Sequence, residues 1–242
     1  MIITSKDNSK IKHIRKLLNK KDSYGEKLFV IEGDNLITEA IKNNMLTELY
    51  LLDGVENKYN FDCFYVTEEV MKSISSLNSV PRVLGISKYI NKNDLGNKIV
   101  LLDEVQDPGN AGTIIRNAVA FGVDTVVFSK NSVSPYNEKV LRSTGGMIYN
   151  INIIIDDLDN IIDKIKKNNI KILGTSLSSS KSLETIEKNN SFAIIFGNEG
   201  NGVKNSFLDK CDEIIRIDME SNCESLNVGV SSGIILYYMY KR

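Results

Sequence analysis

Histidine is nearly missing from this chain of 242 residues, and His13 is the only one. A Ser/His/Asp triad, a Cys/His pair or a multi-histidine metal site is therefore excluded from the rest of the chain, and no metal centre is expected. Cysteine is scarce too: Cys63, Cys211 and Cys223 are odd in number, far apart and without a C-x-x-C pair. That spacing argues against a disulfide framework or zinc ribbon and fits a reducing compartment. No G-x-G-x-x-G and no Gly-Lys dipeptide occurs, so neither a Rossmann dinucleotide site nor a P-loop is supported. No run approaches the roughly 18 apolar residues of a membrane span, and the amino terminus reaches Lys6 before an apolar signal segment forms. A cytoplasmic protein with no membrane association is the expectation. With 3 Pro, 16 Gly, 42% hydrophobic and 25% charged residues, the composition is that of an ordinary globular chain long enough for one or two domains.

The formal net charge is −1, unevenly spread. Residues 1–30 hold eight basic side chains against three acidic ones. Such a basic segment points to a polyanion partner, and a solvated amphipathic helix accounts for it equally well. Residues 8–19 predict that helix, because Ile11, Ile14, Leu17 and Leu18 recur at helical spacing with basic residues between them.

Further on, strands are expected at 28–31, 49–52, 61–66 and 83–87, with helices at 34–41 and from Thr67. Polar residues 91–97 lack periodicity and mark a linker. The expected domains are a small α/β unit at 1–95 and a second at 96–242. In the second, short apolar strands at 99–102, 125–129, 151–155, 172–175, 192–196 and 214–217 alternate with helices at 111–121, near Glu138, at 158–165, near Phe207 and at the carboxy end. That alternation predicts an α/β fold built on a mostly parallel sheet covered on both faces. Ligands of such sheets lie at the carboxyl ends of the strands. Three of those ends carry glycine and polar residues: 103–112, 174–178 and 197–202.

Three segments, Asp107-Pro-Gly-Asn-Ala-Gly-Thr-Ile-Ile-Arg-Asn-Ala118, Ile194-Ile-Phe-Gly-Asn-Glu-Gly-Asn-Gly-Val203 and Ile215-Arg-Ile-Asp-Met219 continuing to Glu224-Ser-Leu-Asn-Val228, resemble in order and spacing the three motifs of the SpoU (TrmH-type) RNA 2′-O-ribose methyltransferases. Residues 5–40, with Phe29-Val-Ile-Glu-Gly33, resemble the amino-terminal substrate-binding domain of many such enzymes. The resemblance implies S-adenosylmethionine as methyl donor, RNA as partner, a homodimer and a carboxy-terminal trefoil knot, a rare exception to unthreaded topology.

On the matching positions it implies a donor pocket of Thr175, Leu177, Gly197, Ile217, Met219 and Leu226, largely through backbone groups. The plainer account of Ile217 and Leu226 is core packing, which is compatible with a place in the pocket. It places Asn110, Arg116, Glu199, Ser225 and Asn227 on the acceptor side, where Ser225 and Asn227 also suit a helix cap. Arg116 lies six positions after Asn110, and a turn followed by helix would bring both towards one cleft. With a pKa above about 12 a guanidinium resists deprotonation, so Arg116 is read as an electrostatic activator that grips phosphate. Lys12, Arg15, Lys16 and Arg142 are the candidate RNA contacts, Arg142 being also a plain helix-end residue. Two departures stand out: Asp218 replaces a proline common in the third motif, and Val230-Ser-Ser-Gly233 replaces an alanine often found there. The implied activity is methylation of a ribose 2′-hydroxyl in ribosomal RNA. Transfer RNA is the nearest alternative substrate, a non-catalytic RNA-binding or ribosome-assembly factor is a second reading, and an unrelated α/β enzyme using another nucleotide is a third. The run 234–240, rich in tyrosine, is assigned to dimerisation.

Overall fold

The computed structural model describes residues 2–90, 94–178 and 180–240, and the chain divides into two units, 1–90 and 91–242. The start of the expected linker, at 91–93, lies outside the described residues.

In the first unit Asn8 caps α1 (Ser9–Leu17) by accepting from the Lys10 N–H at 3.0 Å, and Ile11, Ile14 and Leu17 are buried. The helix stops two residues earlier than its apolar spacing suggests, leaving Leu18 46% exposed. Asn19 is the reason: its side chain accepts from the Lys21 N–H at 2.9 Å and starts a second helix, α2 (Lys20–Glu26). Sequence reading missed α2 because its seven residues are mostly polar. Then follow β2 (Leu28–Glu32), α3 (Asp34–Lys42), β3 (Leu46–Leu52), β4 (Cys63–Val66), α4 (Glu68–Ile74) and β5 (Val83–Lys88), while Ile2–Ile3 forms β1. The sheet order is β1-β4-β3-β5-β2. β1, β4 and β3 are parallel, and β5 runs antiparallel to both its neighbours. Ile11, Ile14, Tyr50, Met71 and Ile74 pack into its core.

The second unit contains β6 (Lys98–Leu102), α5 (Pro108–Ala120), β7 (Thr125–Ser129), α6 (Glu138–Thr144), β8 (Asn152–Asp156), α7 (Leu158–Lys167), β9 (Lys171–Thr175), β10 (Lys181–Ser182), β11 (Phe192–Phe196), α8 (Asn205–Leu208), β12 (Glu213–Arg216) and α9 (Val228–Met239). Its seven strands lie in the order β10-β12-β9-β11-β6-β7-β8, and every adjacent pair is parallel. The α/β class with a parallel sheet holds as the sequence implied. The near-continuous apolar strands follow from burial of both faces: Ile99 to Leu102 and Ala193 to Ile195 have no exposed surface.

Register brings several strand ends to one level. Phe196 pairs with Leu102, Ile195 with Gly174, and Thr175 with Ile215. The segments after β6, β9, β11 and β12 therefore leave the sheet side by side. The expected helix at 111–121 begins three residues sooner, because Asp107 caps α5 and Pro108 occupies its first turn, where a missing N–H costs nothing.

α5 packs closely on α6 at Gly112. A methyl group there would lie 2.9 Å from the Val140 carbonyl oxygen and overlap the Ser143 side chain. Gly112→Ala is expected to lower stability by about 1–3 kcal/mol, despite alanine's better helix propensity, read as a lower urea midpoint at an unchanged slope.

Candidate active site

The segment after β11 folds back on itself. Asn198 and Gly202 exchange backbone hydrogen bonds at 3.0 and 2.9 Å, and the Asn198 Oδ1 accepts from the N–H groups of Gly200 and Asn201. Gly197 is required at its base, because any side chain there would overlap the backbone of Gly202 and Val203. The hairpin presents Glu199 to the start of α5. Glu199 Oε1 accepts from the Asp107 N–H and from Asn110 Nδ2, both at 3.0 Å, and Oε2 accepts from the Gln106 N–H at 3.2 Å.

Asn110 is buried and uses both ends of its amide. Its Nδ2 donates to Glu199, and its Oδ1 accepts from Asn227 Nδ2 at 2.8 Å. Asn227 in turn caps α9, its Oδ1 accepting from the Gly229 and Val230 N–H groups at 2.9 and 3.3 Å. Residues from three separate motifs thus form one chain, Glu199–Asn110–Asn227. Helix capping and a place in the site are both true of Asn227.

Burial alone would raise the Glu199 pKa. The hydrogen bonds from Asn110 and from the N–H groups of Glu199 itself, Asp107 and Gln106 outweigh it, and the carboxyl is held below its ordinary 4.5. Negative charge at the start of α5 is further favoured by the helix dipole.

Two of the expected acceptor residues stand apart from this chain. Arg116 is exposed and, among the described residues, has no hydrogen bond or ion pair. Because α5 runs unbroken from Pro108 to Ala120, Arg116 sits about 9 Å beyond Asn110 along the axis and about 120° away around it. α5 thus carries both residues with no turn between them. Ser225 is exposed, and among the described residues only its carbonyl is engaged, accepting from Cys223 Sγ at 3.6 Å.

Of the expected donor-pocket residues, Thr175 ends β9 with its Oγ1 donating to the Ile195 carbonyl at 2.9 Å, and Gly197 directly follows the neighbouring strand β11. Leu177, in the segment after β9, is 56% exposed. Ile217, Met219 and Leu226 are half-buried in the segment after β12. Asp218 accepts from Arg216 Nε at 2.9 Å, and Arg216 also donates to the Ser180 carbonyl. Hydrogen bonding from Ser182 and then Arg216 lowers the Asp218 pKa. The substituted aspartate therefore ties the third motif to β10. A cleft of about 710 Å³ lies beside it, walled by Ile217, Asp218, Ser182, Phe121 and Tyr237. Of the six residues expected around the donor, only Ile217 lines it.

In the first unit the candidate RNA contacts lie on α1 and are already engaged. Lys12 pairs with Asp7 at 3.1 Å, Lys16 with Glu26 at 2.8 Å, and Arg15 Nη2 donates to Ser73 Oγ at 3.0 Å. Arg142 is exposed on α6.

Sequence reading did not single out Asp103, Glu104, Gln106, Asn198 or Lys204, all of which contact these segments. The first three stand in the polar run after β6 and Asn198 in the glycine loop, but nothing in Lys204 itself distinguished it from other lysines.

A parallel sheet with three polar segments cross-linked at the carboxyl ends of β6, β11 and β12 defines an α/β protein of the kind that binds its ligands at those ends. Comparison with known proteins narrows the class. The chain belongs to the SpoU rRNA Methylase family, whose profile matches residues 97–237. Residues 8–85 match the MRM3-like substrate binding domain. A relative from Bacillus subtilis, the 23S rRNA (guanosine(2553)-2′-O)-methyltransferase RlmP, is 32% identical over 243 residues, covering 98% of each chain. An rRNA methyltransferase from Sinorhizobium meliloti superposes with a TM-score of 0.87 at 25% identity over 99% of this chain and 96% of that one. A structure described as AdoMet-bound rRNA methyltransferase from the same organism gives 0.86 at 26% identity, covering 99% and 97%.

The lowered Glu199 pKa predicts a pH dependence. Its contribution to stability is full above the unfolded value near 4.5 and disappears as pH falls through the lower folded value. The stability advantage of the native protein over Glu199→Gln should therefore shrink between about pH 6 and pH 3, measured as urea midpoints across that range.

Proposed function

We propose that this protein transfers the methyl group of S-adenosylmethionine to a ribose 2′-hydroxyl of ribosomal RNA. The observation that carries the reading is the Glu199–Asn110–Asn227 chain at the carboxyl ends of the parallel strands β11, β6 and β12, in a member of the SpoU rRNA Methylase family. The rRNA named for the Bacillus subtilis relative supports the substrate, and the AdoMet-bound Sinorhizobium meliloti structure supports the donor.

The residues present fit such a donor. An adenine edge is recognised by free backbone donors and acceptors within an apolar slot. Among the described residues, Met219 and Leu226 enter no backbone hydrogen bond, and the apolar side chain of Leu177 stands exposed. We assign the holding of the donor to Thr175, Leu177, Gly197, Ile217, Met219 and Leu226. When bound, the donor supplies an electrophilic methyl on a sulfonium.

Methyl transfer needs the acceptor oxygen aligned behind the methyl group and relieved of its proton. In this reading Asn110, Glu199 and Asn227 fix the acceptor side, with Ser225 beside them. Glu199 acts as a fixed anion, since both its oxygens already accept hydrogen bonds. Arg116 provides the unpaired positive charge, favouring the developing alkoxide and gripping phosphate through its planar fork. Lys12, Arg15 and Lys16 in a substrate-binding domain, with Arg142 in the methyltransferase domain, contact the RNA.

The same reading includes a homodimer, a trefoil knot and a cytoplasmic location. Val230, Ile234 and Tyr237 are 51%, 39% and 70% exposed along one face of α9, which supports pairing with a second copy. The path of residues 217–227 supports the knot: it leaves β12, on the far side of β9 and β11 from β6, and returns to a helix joined to α5 by hydrogen bonds from Asn117 to Gly229 and Ser232.

Labelled methyl from S-adenosylmethionine should enter unmodified ribosomal RNA and resist alkaline cleavage at the 3′ linkage, because a blocked 2′-hydroxyl cannot attack the neighbouring phosphate. Label in transfer RNA alone would move the substrate class. Donor binding without label in either RNA would favour a non-catalytic RNA-binding role. Arg116→Ala is expected to lower kcat by about 10²–10³-fold with donor binding retained by calorimetry; full activity would remove Arg116 from the mechanism.

A further inference from the structure

The hairpin that carries Glu199 is fastened at both of its ends to two residues outside the acceptor set. At its start, Asn198 Nδ2 donates to the Glu104 carbonyl at 2.9 Å. At its end, the Lys204 N–H donates to Asp103 Oδ2 at 2.8 Å, and Lys204 Nζ reaches Glu104 Oε1 at 2.5 Å. Lys204 Nζ also lies 3.9 Å from Asp103 Oδ1, a buried oxygen with no hydrogen-bond partner among the described residues.

Both carboxylates are themselves held. Asp103 is 1% exposed at the end of β6, and a buried carboxylate depends on a nearby cation. Glu104 occupies the left-handed region with φ 56°, uncommon for a residue with a side chain. Its Oε1 also accepts from Asn131 Nδ2 at 2.8 Å, and its N–H donates to Ser129 Oγ at 3.0 Å. Lys204 therefore joins a rigid point at the ends of β6 and β7 to the far end of the hairpin.

We propose that Lys204 is a positioning residue for methyl transfer, setting through Asp103 and Glu104 where Glu199 meets α5 and hence how Asn110 is oriented. The inference rests on the methyltransferase reading above. Lys204 is half-exposed, so direct contact with RNA phosphate is the competing role. The two differ in kinetics: a phosphate contact acts on the RNA KM and its salt dependence, whereas misplacement of the acceptor side acts on kcat.

The experiment compares Lys204→Met, Lys204→Arg and Glu199→Gln, and the double variant Lys204→Met/Glu199→Gln. Steady-state methyl transfer to ribosomal RNA is combined with hydrogen exchange of the donor-free protein over 104–110 and 197–204. Lys204→Met should lower kcat by about tenfold to a hundredfold with the RNA KM within about twofold. Exchange should rise in both segments, and Lys204→Arg should restore most of both properties. In the Glu199→Gln background the added loss should fall below about threefold. Unchanged kcat, or a loss confined to the RNA KM, overturns the proposal. If the native protein methylates no RNA, the functional reading fails, and hydrogen exchange alone decides the clamp: faster exchange in both segments supports it and unchanged exchange overturns it. Should Lys204→Met not fold, Glu104→Gln keeps the backbone contacts and is judged by the same criteria.

Discussion

A single buried amide organises the carboxyl end of the second sheet. Asn110 has one donor group directed at Glu199 and one acceptor directed at Asn227. Because a buried polar group left unpaired costs free energy, both neighbours must be in place for the amide to be satisfied. Segments separated by 89 and 117 positions are thereby held in one arrangement. Close backbone approach reinforces it: Gly197 admits no side chain against Gly202 and Val203, and Asp107 accepts from the Asn110 N–H at 2.8 Å. Loop positions at this end of the sheet are set by polar pairing, while the strands below are set by apolar burial.

Charge follows the same logic. Glu199 is anionic because the start of α5 offers it N–H groups, and those bonds leave it poorly suited to accept a proton. Arg116, on the same helix, is unpaired among the described residues and free to meet an anion. The basic helix of the first unit shows the opposite condition, with Lys12 and Lys16 already matched to carboxylates. Exposed pairs of this kind are weak and salt-sensitive, so a polyanion would compete with Asp7 and Glu26 for the same cations.

Sequence alone revealed the parallel sheet because strands such as 99–102 and 192–196 are apolar without alternation, the pattern that burial on both faces demands. It revealed the family because three motifs occur in order. It did not separate α1 from α2, since Asn19 reads as an ordinary polar residue until its side chain is seen capping the second helix. It expected a turn followed by helix between Asn110 and Arg116, whereas α5 runs unbroken through both. Lys204 was illegible for a different reason: its significance lies in partners 100 and 101 positions away, and no local pattern encodes such a meeting.

One edge of the seven-stranded sheet is β10, only Lys181 and Ser182 long. A strand end so short presents almost no row of unpaired N–H and C=O groups, so it is a poor template for a strand from another molecule. Edge-to-edge aggregation is discouraged on that side even though the interior strands are apolar enough to favour it. Any partner on that side would have to be met by side-chain surfaces, where shape and charge select more strictly than backbone pairing does.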